Sequence, residues 1–155
     1  MLTEQEFQTA VERHLDMIYR IALNATRQTA DAEDAAQTVM LRLWQTDTNF
    51  ESEDHLRHWL VKVTVNVCHD MAKSLWRRHT VSMEACGEIS SVDAEQNLLL
   101  QEVMDLAPKY RLPLYLYYYE GYHVAEIGEL LDLKVSTVQT RLARGREVLK
   151  RQLEE

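Results

Sequence analysis

In this 155-residue chain, the segment whose residue types and spacing point most clearly to chemistry is HVAEIGELLDLKVSTVQTRLARGREVLK, from His123 to Lys150. Read as a helix, the stretch from Val135 to Leu153 buries Val138, Leu142 and Leu149. Its other faces then carry Ser136, Thr137, Gln139, Thr140, Arg141, Arg144, Arg146 and Lys150. Short hydroxyl and amide side chains at the front of a helix can bond to base edges in the major groove, and arginines further along reach guanine or phosphate. The stretch Val124–Leu131 ahead of it reads as a short helix with Ile127 and Leu131 apolar, and Asp132 to Lys134 as a three-residue turn. Ala125 is small and is expected to let the two helices cross closely. This is the form of a helix-turn-helix. A plain helical hairpin with a wet basic face shares the pattern, but spacing, small residue and charge together favour DNA binding.

Few other groups invite a chemical reading. Cys68 and Cys86 make no disulfide framework. His55, His58, His69 and His79 surround them, yet the spacing matches no common zinc pattern. No metal, no cofactor and no enzymatic activity are expected.

The elements that must position these residues are helical. With four Gly and two Pro in the whole chain, breakers are too few for a turn-rich β fold. No apolar run is long enough to span a membrane, so a soluble cytoplasmic protein is expected. Phe7, Val11, Leu15, Ile18, Ala22 and Ala25 mark a helix over about 3–28, and Ala36, Val39, Met40, Leu43 and Trp44 another over about 31–45. Asp or Thr at 29–31 is placed to cap the second. Residues 46–54 read as a loop. Leu56, Trp59, Leu60, Val63, Val67, Met71 and Leu75 mark a third helix over about 54–77, despite a β-branched run that forms helix poorly. Trp44 and Trp59 are expected in the core. Residues 79–94 lose the period and read as a linker. Beyond it, Leu98, Leu99, Val103 and Leu106 mark a short helix. A further helix then starts either at Pro108, with Pro113 inside it, or near Arg111, and ends at Gly121. The expected architecture is all-α, two small helical domains joined by a flexible linker, with the helix-turn-helix in the second.

Net charge is −8, which argues against a nucleic-acid binder until its distribution is considered. Residues 1–61 carry five basic and eleven acidic side chains, and residues 80–133 carry two and ten. Between and after them, residues 62–79 carry four basic and one acidic, and residues 134–151 six and one. Two basic blocks in an acidic body have the layout of two phosphate-contacting surfaces. Charge alone leaves open that each is only a solvated helix face.

Three segments in order resemble an extracytoplasmic-function sigma factor of the sigma-70 family, and the likeness spans nearly the whole chain. DAEDAAQTVMLRLW is similar to the family's motif for the β′ clamp helices of RNA polymerase, HLRHWLVKVTVNVCHDMAKSLWRR to its promoter-melting helix, and the segment from Tyr110 to Lys150 to its promoter-reading domain. The resemblance implies a domain at 1–78 that binds core polymerase and the minus-ten element, a linker at 79–94, and a domain at 95–155 that binds the minus-thirty-five element and the β flap. Polymerase contacts would fall to Asp34, Gln37, Thr38 and Met40, with Thr38 standing where Glu is common. Asp31, Glu33 and Asp34 equally suit a helix start, and Met40 suits core or interface. Minus-ten contacts would fall to Asn66, Asp70, Lys73, Trp76, Arg77 and Arg78; Trp76 stacks on a base or packs in the core. Minus-thirty-five contacts would fall to Ser136, Thr137, Gln139, Thr140, Arg141, Arg144 and Arg146. Asp132 replaces a usual turn Gly, and Lys134 replaces a usual Ser or Thr cap. An anti-sigma protein is a further implied partner. A one-component helix-turn-helix regulator is the alternative, but it leaves the first two motifs as coincidence.

Overall fold

The computed structural model describes residues 1–78, 103 and 105–154, with side chains of 75–78 excepted. Among these residues every regular element is a helix: α1 (Glu4–Thr26), α2 (Thr29–Gln45), α3 (Glu53–Arg78), α4 (Pro108–Tyr118), α5 (Val124–Leu131) and α6 (Val135–Glu154). The chain divides into two compact units, Met1–Glu88 and Ile89–Glu155. The linker expected at 79–94 and the short helix around Leu98 and Leu99 lie outside the described residues.

In the first unit α1, α2 and α3 pack on one another. α1 opens with a reciprocal cap, the Glu6 N–H donating to Thr3 Oγ1 at 3.1 Å and the Thr3 N–H to Glu6 Oε1 at 3.2 Å. It closes on Arg27 in the left-handed conformation, φ 60°. The next helix starts two residues earlier than the acidic cluster implied. Gln28 is its N-cap and gives no side-chain cap, so neither Thr29 nor Asp31 takes that role. Ala32, Ala35 and Ala36 are buried, which brings α2 close to its neighbours, and Ile18, Ile21, Val39, Leu43, Leu60 and Val61 fill the centre. The β-branched run stays helical because Val61, Thr64 and Val67 are buried in that core, and packing overrides weak local propensity. Thr64 meets its own polar need by donating from Oγ1 to Leu60 O at 2.6 Å. Trp44 departs from expectation. It is 41% exposed and lies edge-on against Phe7, centroids 5.0 Å apart, at the rim rather than in the core. Trp59 is half-buried and meets Phe50 edge-on at 5.4 Å, which holds the 46–52 segment against α3.

In the second unit α6 packs on α4 and α5. α4 begins at Pro108 and contains Pro113. Pro113 is the sixth residue, two past Arg111, whose N–H makes the first α-helical bond, to Ala107 O at 3.1 Å, so the helix forgoes one bond at Pro113. The buried Arg111 donates from Nη1 to Leu106 O at 3.1 Å, tying α4 to the turn before it. α4 ends at Tyr118, short of Gly121, which takes a left-handed φ of 72°. Leu114, Leu116, Ile127, Leu130, Val138 and Leu142 form the core. Ala125 is exposed and does not set the crossing of α5 and α6. Glycines permit two other close approaches, of α5 to the turn that follows it and of α6 to α4. A Cβ added at Gly128 would stand 2.7 Å from Leu133 O, and one at Gly145 would stand 2.8 Å from Leu114 Cδ1. Asp132 adopts the expected left-handed turn, φ 56° and ψ 50°, and the Leu133 N–H donates to Gly128 O at 2.8 Å.

Candidate promoter and polymerase interfaces

The first surface is on α2. Asp34 and Gln37 are exposed and Met40 is half-buried. Half-buried Thr38 donates from Oγ1 to Asp34 O at 2.9 Å, so its hydroxyl serves the helix backbone. Positions 34, 37, 41 and 44 recur at three or four residues and therefore share a face. Leu41, 54% exposed, and Trp44 continue the polar pair as an apolar stripe. The apolar period of α2 assigns Trp44 to the core, whereas Leu41 and Trp44 both stand exposed. Residues outside the buried set of α2 carried the signal.

The second surface is on α3. Asn66, Asp70 and Lys73 are exposed along one side, and the helix backbone runs on through Trp76, Arg77 and Arg78. Below its start, Thr48, Asn49, Phe50 and Ser52 line a polar hollow of about 490 Å3 with Gln5, Glu6 and Thr9 of α1. Glu53 anchors this end. It accepts from His14 Nε2 at 2.8 Å and pairs with Arg13 Nη1 at 3.5 Å. The hydrogen bond with His14, then the nearby positive charge, holds the Glu53 carboxyl below its ordinary value.

The third surface is on α6. Its Ser136, Thr137, Thr140, Arg141 and Arg144 line one cleft of about 340 Å3, while Val138 and Leu142 are buried. Thr140 donates from Oγ1 to Ser136 O at 3.0 Å, so its hydroxyl oxygen remains free to accept. Gln139 is exposed on the same helix but does not line the cleft. Arg146 does not line it either; it borders an apolar hollow with Leu114, Tyr118, Leu149 and Leu153. Lys109 and Tyr110 of α4 complete the cleft, and no helix-turn-helix spacing could have named them. The first backbone bond of α6 runs from the Val138 N–H to Lys134 O at 3.1 Å.

Two helical units each expose polar and basic side chains along one long helix. The description Sigma-70 region 2 matches residues 10–78, and Sigma-70, region 4 matches residues 96–149. SigW of Bacillus subtilis, an extracytoplasmic-function RNA polymerase sigma factor, is 27% identical over 97% of this chain and 90% of its own length. SigL of Mycobacterium tuberculosis, of the same class, is 30% identical over 93% of this chain and 86% of its own. Among solved structures, the sigma factor RpoE of Bartonella quintana, in complex with the anti-sigma factor NepR, shares the fold. Its TM-score is 0.79 at 17% identity, covering 97% of this chain and 98% of that one. The chain belongs to the extracytoplasmic-function sigma factors of the sigma-70 family. It is an RNA polymerase sigma factor, which directs core polymerase to promoters, and such factors are initiation proteins rather than enzymes. The one-component regulator reading accounts for residues 96–149 alone and gives way to the region 2 match. Among the described residues no helix is long and apolar enough to cross a membrane.

Proposed function

We propose that the first unit, residues 1–78, docks on the β′ clamp helices through Asp34, Gln37, Thr38 and Met40, with Leu41 and Trp44 extending the contact. In this reading Asn66, Asp70, Lys73, Trp76, Arg77 and Arg78 hold the unwound minus-ten strand. Residues 79–94 link to a second unit, 95–155, that meets the β flap. There Ser136, Thr137, Thr140, Arg141 and Arg144 approach the minus-thirty-five duplex, Gln139 stands beside them, and Arg146 lies to the rear. The observation that carries the reading is the sorting of α6: hydroxyl and guanidinium groups line one cleft, and apolar groups close the core behind it. The protein works in the cytoplasm and takes no catalytic part. The solved relative is held by an anti-sigma factor, and the exposed Leu41 and Trp44 give this chain an apolar surface for such a partner.

The decisive experiment adds the chain to core polymerase on genomic fragments and sequences the transcripts. Discrete start sites, sharing two spaced sequence elements and absent without the chain, are expected. Identical transcripts with and without it would overturn the reading.

A further inference from the structure

The cleft beside α6 holds a cation that the helix-turn-helix does not supply. Lys109 and Tyr110, in the first turn of α4, line it with Ser136, Thr137, Thr140, Arg141 and Arg144. The helix crossing puts them there. Gly145 is buried, and a Cβ added to it would stand 3.2 Å from Tyr110 Cβ, so the bare backbone is what lets α4 come this close. Lys109 Nζ lies 5.0 Å from the centroid of the half-buried Tyr110 ring. The electron-rich face of that ring attracts the ammonium and biases an otherwise free side chain. Lys109 and Arg144 are exposed and Arg141 is half-buried. Among the described residues no carboxylate pairs with any of the three. Neither α4 nor α6 has an acidic residue in its first turn, and both N-termini add positive potential. Positive groups from two helices thus converge on one hollow in a chain whose net charge is −8. Such an array repels itself unless an anion lies between its members.

We propose that Lys109, with Arg141 and Arg144, forms a clamp for a backbone phosphate of duplex DNA. The proposal rests on the reading of α6 as the DNA-reading helix, and it adds a grip from outside that motif. Phosphate oxygens accept charge-assisted hydrogen bonds from ammonium and guanidinium alike. A contact of this kind sets register and affinity but carries no sequence information. Tyr110 acts on Lys109 as a positioning residue.

The test titrates the full chain, by fluorescence anisotropy across a salt series, into one duplex carrying a start-site element and one of random sequence. Lys109→Ala is expected to weaken both by the same factor and to lower the slope of log affinity against log salt by about 0.9. Over a fourfold rise in salt, the variant then loses about 3.5-fold less affinity than the wild type. Lys109→Arg should keep the slope. Because Lys109 is exposed, the fold should stay intact, as circular dichroism will verify. An unchanged slope for Lys109→Ala, with Arg144→Ala still weakening binding, overturns the clamp alone. A loss confined to the element duplex makes Lys109 a base reader and also overturns it. If the wild type binds neither duplex, the DNA-reading assignment of α6 falls and takes the clamp with it.

Discussion

Arg146 donates a hydrogen bond from Nη1 to the Tyr118 hydroxyl at 3.1 Å, tying α6 to the end of α4 on a side that does not include the polar cleft. Arg144, two residues earlier, lines the cleft. Two arginines that look equivalent in the sequence are thereby separated. Arg144→Ala should weaken binding by about the same factor on every sequence and lower the salt slope by about 0.9, as loss of a phosphate contact does. Arg146→Ala should leave duplex affinity within about twofold, since its guanidinium is engaged elsewhere and only diffuse charge is lost. Anisotropy titrations on a panel of single-base variants measure both. An equal loss for the two variants would return Arg146 to the reading face.

Asp34 and Gln37 present one exposed face of α2, and Leu41 and Trp44 continue it. Asp34→Ala with Gln37→Ala should weaken binding to core polymerase while leaving helix content unchanged, because neither side chain is part of the core. Leu41→Ala should weaken it too, by about 1 kcal/mol or more if its side chain becomes fully buried on polymerase. Competition against a labelled sigma factor for core enzyme gives the numbers. Unchanged affinity in both variants would move the docking face off α2.

The six described helices, their order and the two-unit division were legible because apolar period and breaker placement are local signals that packing then reinforced. Asp132 could be read too, since Asp is one of few residues that tolerate a left-handed turn. What could not be read depends on which element faces which. Trp44 fits the apolar period of α2, but that period does not say that the face at 34, 37, 41 and 44 is left open. Ala125 drew attention as a small residue, yet only the three-dimensional crossing shows Gly128 against Leu133 and Gly145 against Leu114. Lys109 lies 27 residues before Ser136 and shares no period with it; the cleft they form exists only after α4 and α6 meet.

The Glu53 contact gives the first unit a defined acid response. Hydrogen bonding from His14 and the charge of Arg13 hold the carboxyl below its ordinary value of 4.5. A group depressed in the folded state contributes stability that is present above the unfolded value and lost as pH falls through the folded one. The Glu53 contribution should therefore persist down to about pH 4.5 and disappear below it. Glu53→Gln should lower the urea midpoint at neutral pH and flatten the acid limb, with the two proteins converging at low pH. Parallel acid limbs would show that other carboxylates govern the response. Because the Glu53 side chain is 54% exposed, salt should also weaken the effect.

Cys68 is buried in α3, and burial, with the negative charge of Asp31 adding to it, pushes its thiol up to about 12. The nucleophile in alkylation is the thiolate, so Cys68 should be inert at neutral pH in the folded protein. With Cys86 changed to Ser, iodoacetamide should label the chain only after urea is added. Rapid labelling without urea would mean that α3 opens readily around Cys68.

Two glycines of the second unit look alike in the sequence and should differ sharply on substitution. Both lie in helices, where Ala is intrinsically favoured over Gly by about 1 kcal/mol. At Gly128 a new Cβ would meet the Leu133 carbonyl oxygen at 2.7 Å. That atom is backbone, and the left-handed turn through Asp132 and the bond from the Leu133 N–H to Gly128 O both hold it in place. Relief requires the turn itself to move. At Gly145 the nearest atom is Leu114 Cδ1 at 2.8 Å, the end of a side chain that can change rotamer, with Tyr110 Cβ next at 3.2 Å. Gly128→Ala should therefore cost about 2 kcal/mol net, and Gly145→Ala about 1 kcal/mol or less. The functional consequences should run the other way relative to stability. Gly145→Ala pushes the first turn of α4 from α6 and opens the cleft at Lys109, so it should flatten the salt dependence of duplex binding while the unit stays folded. Thermal unfolding ranks the two stabilities, and the salt series reads the cleft. A Gly145→Ala protein with wild-type salt dependence would mean that α4 does not need this close crossing to hold Lys109 in place.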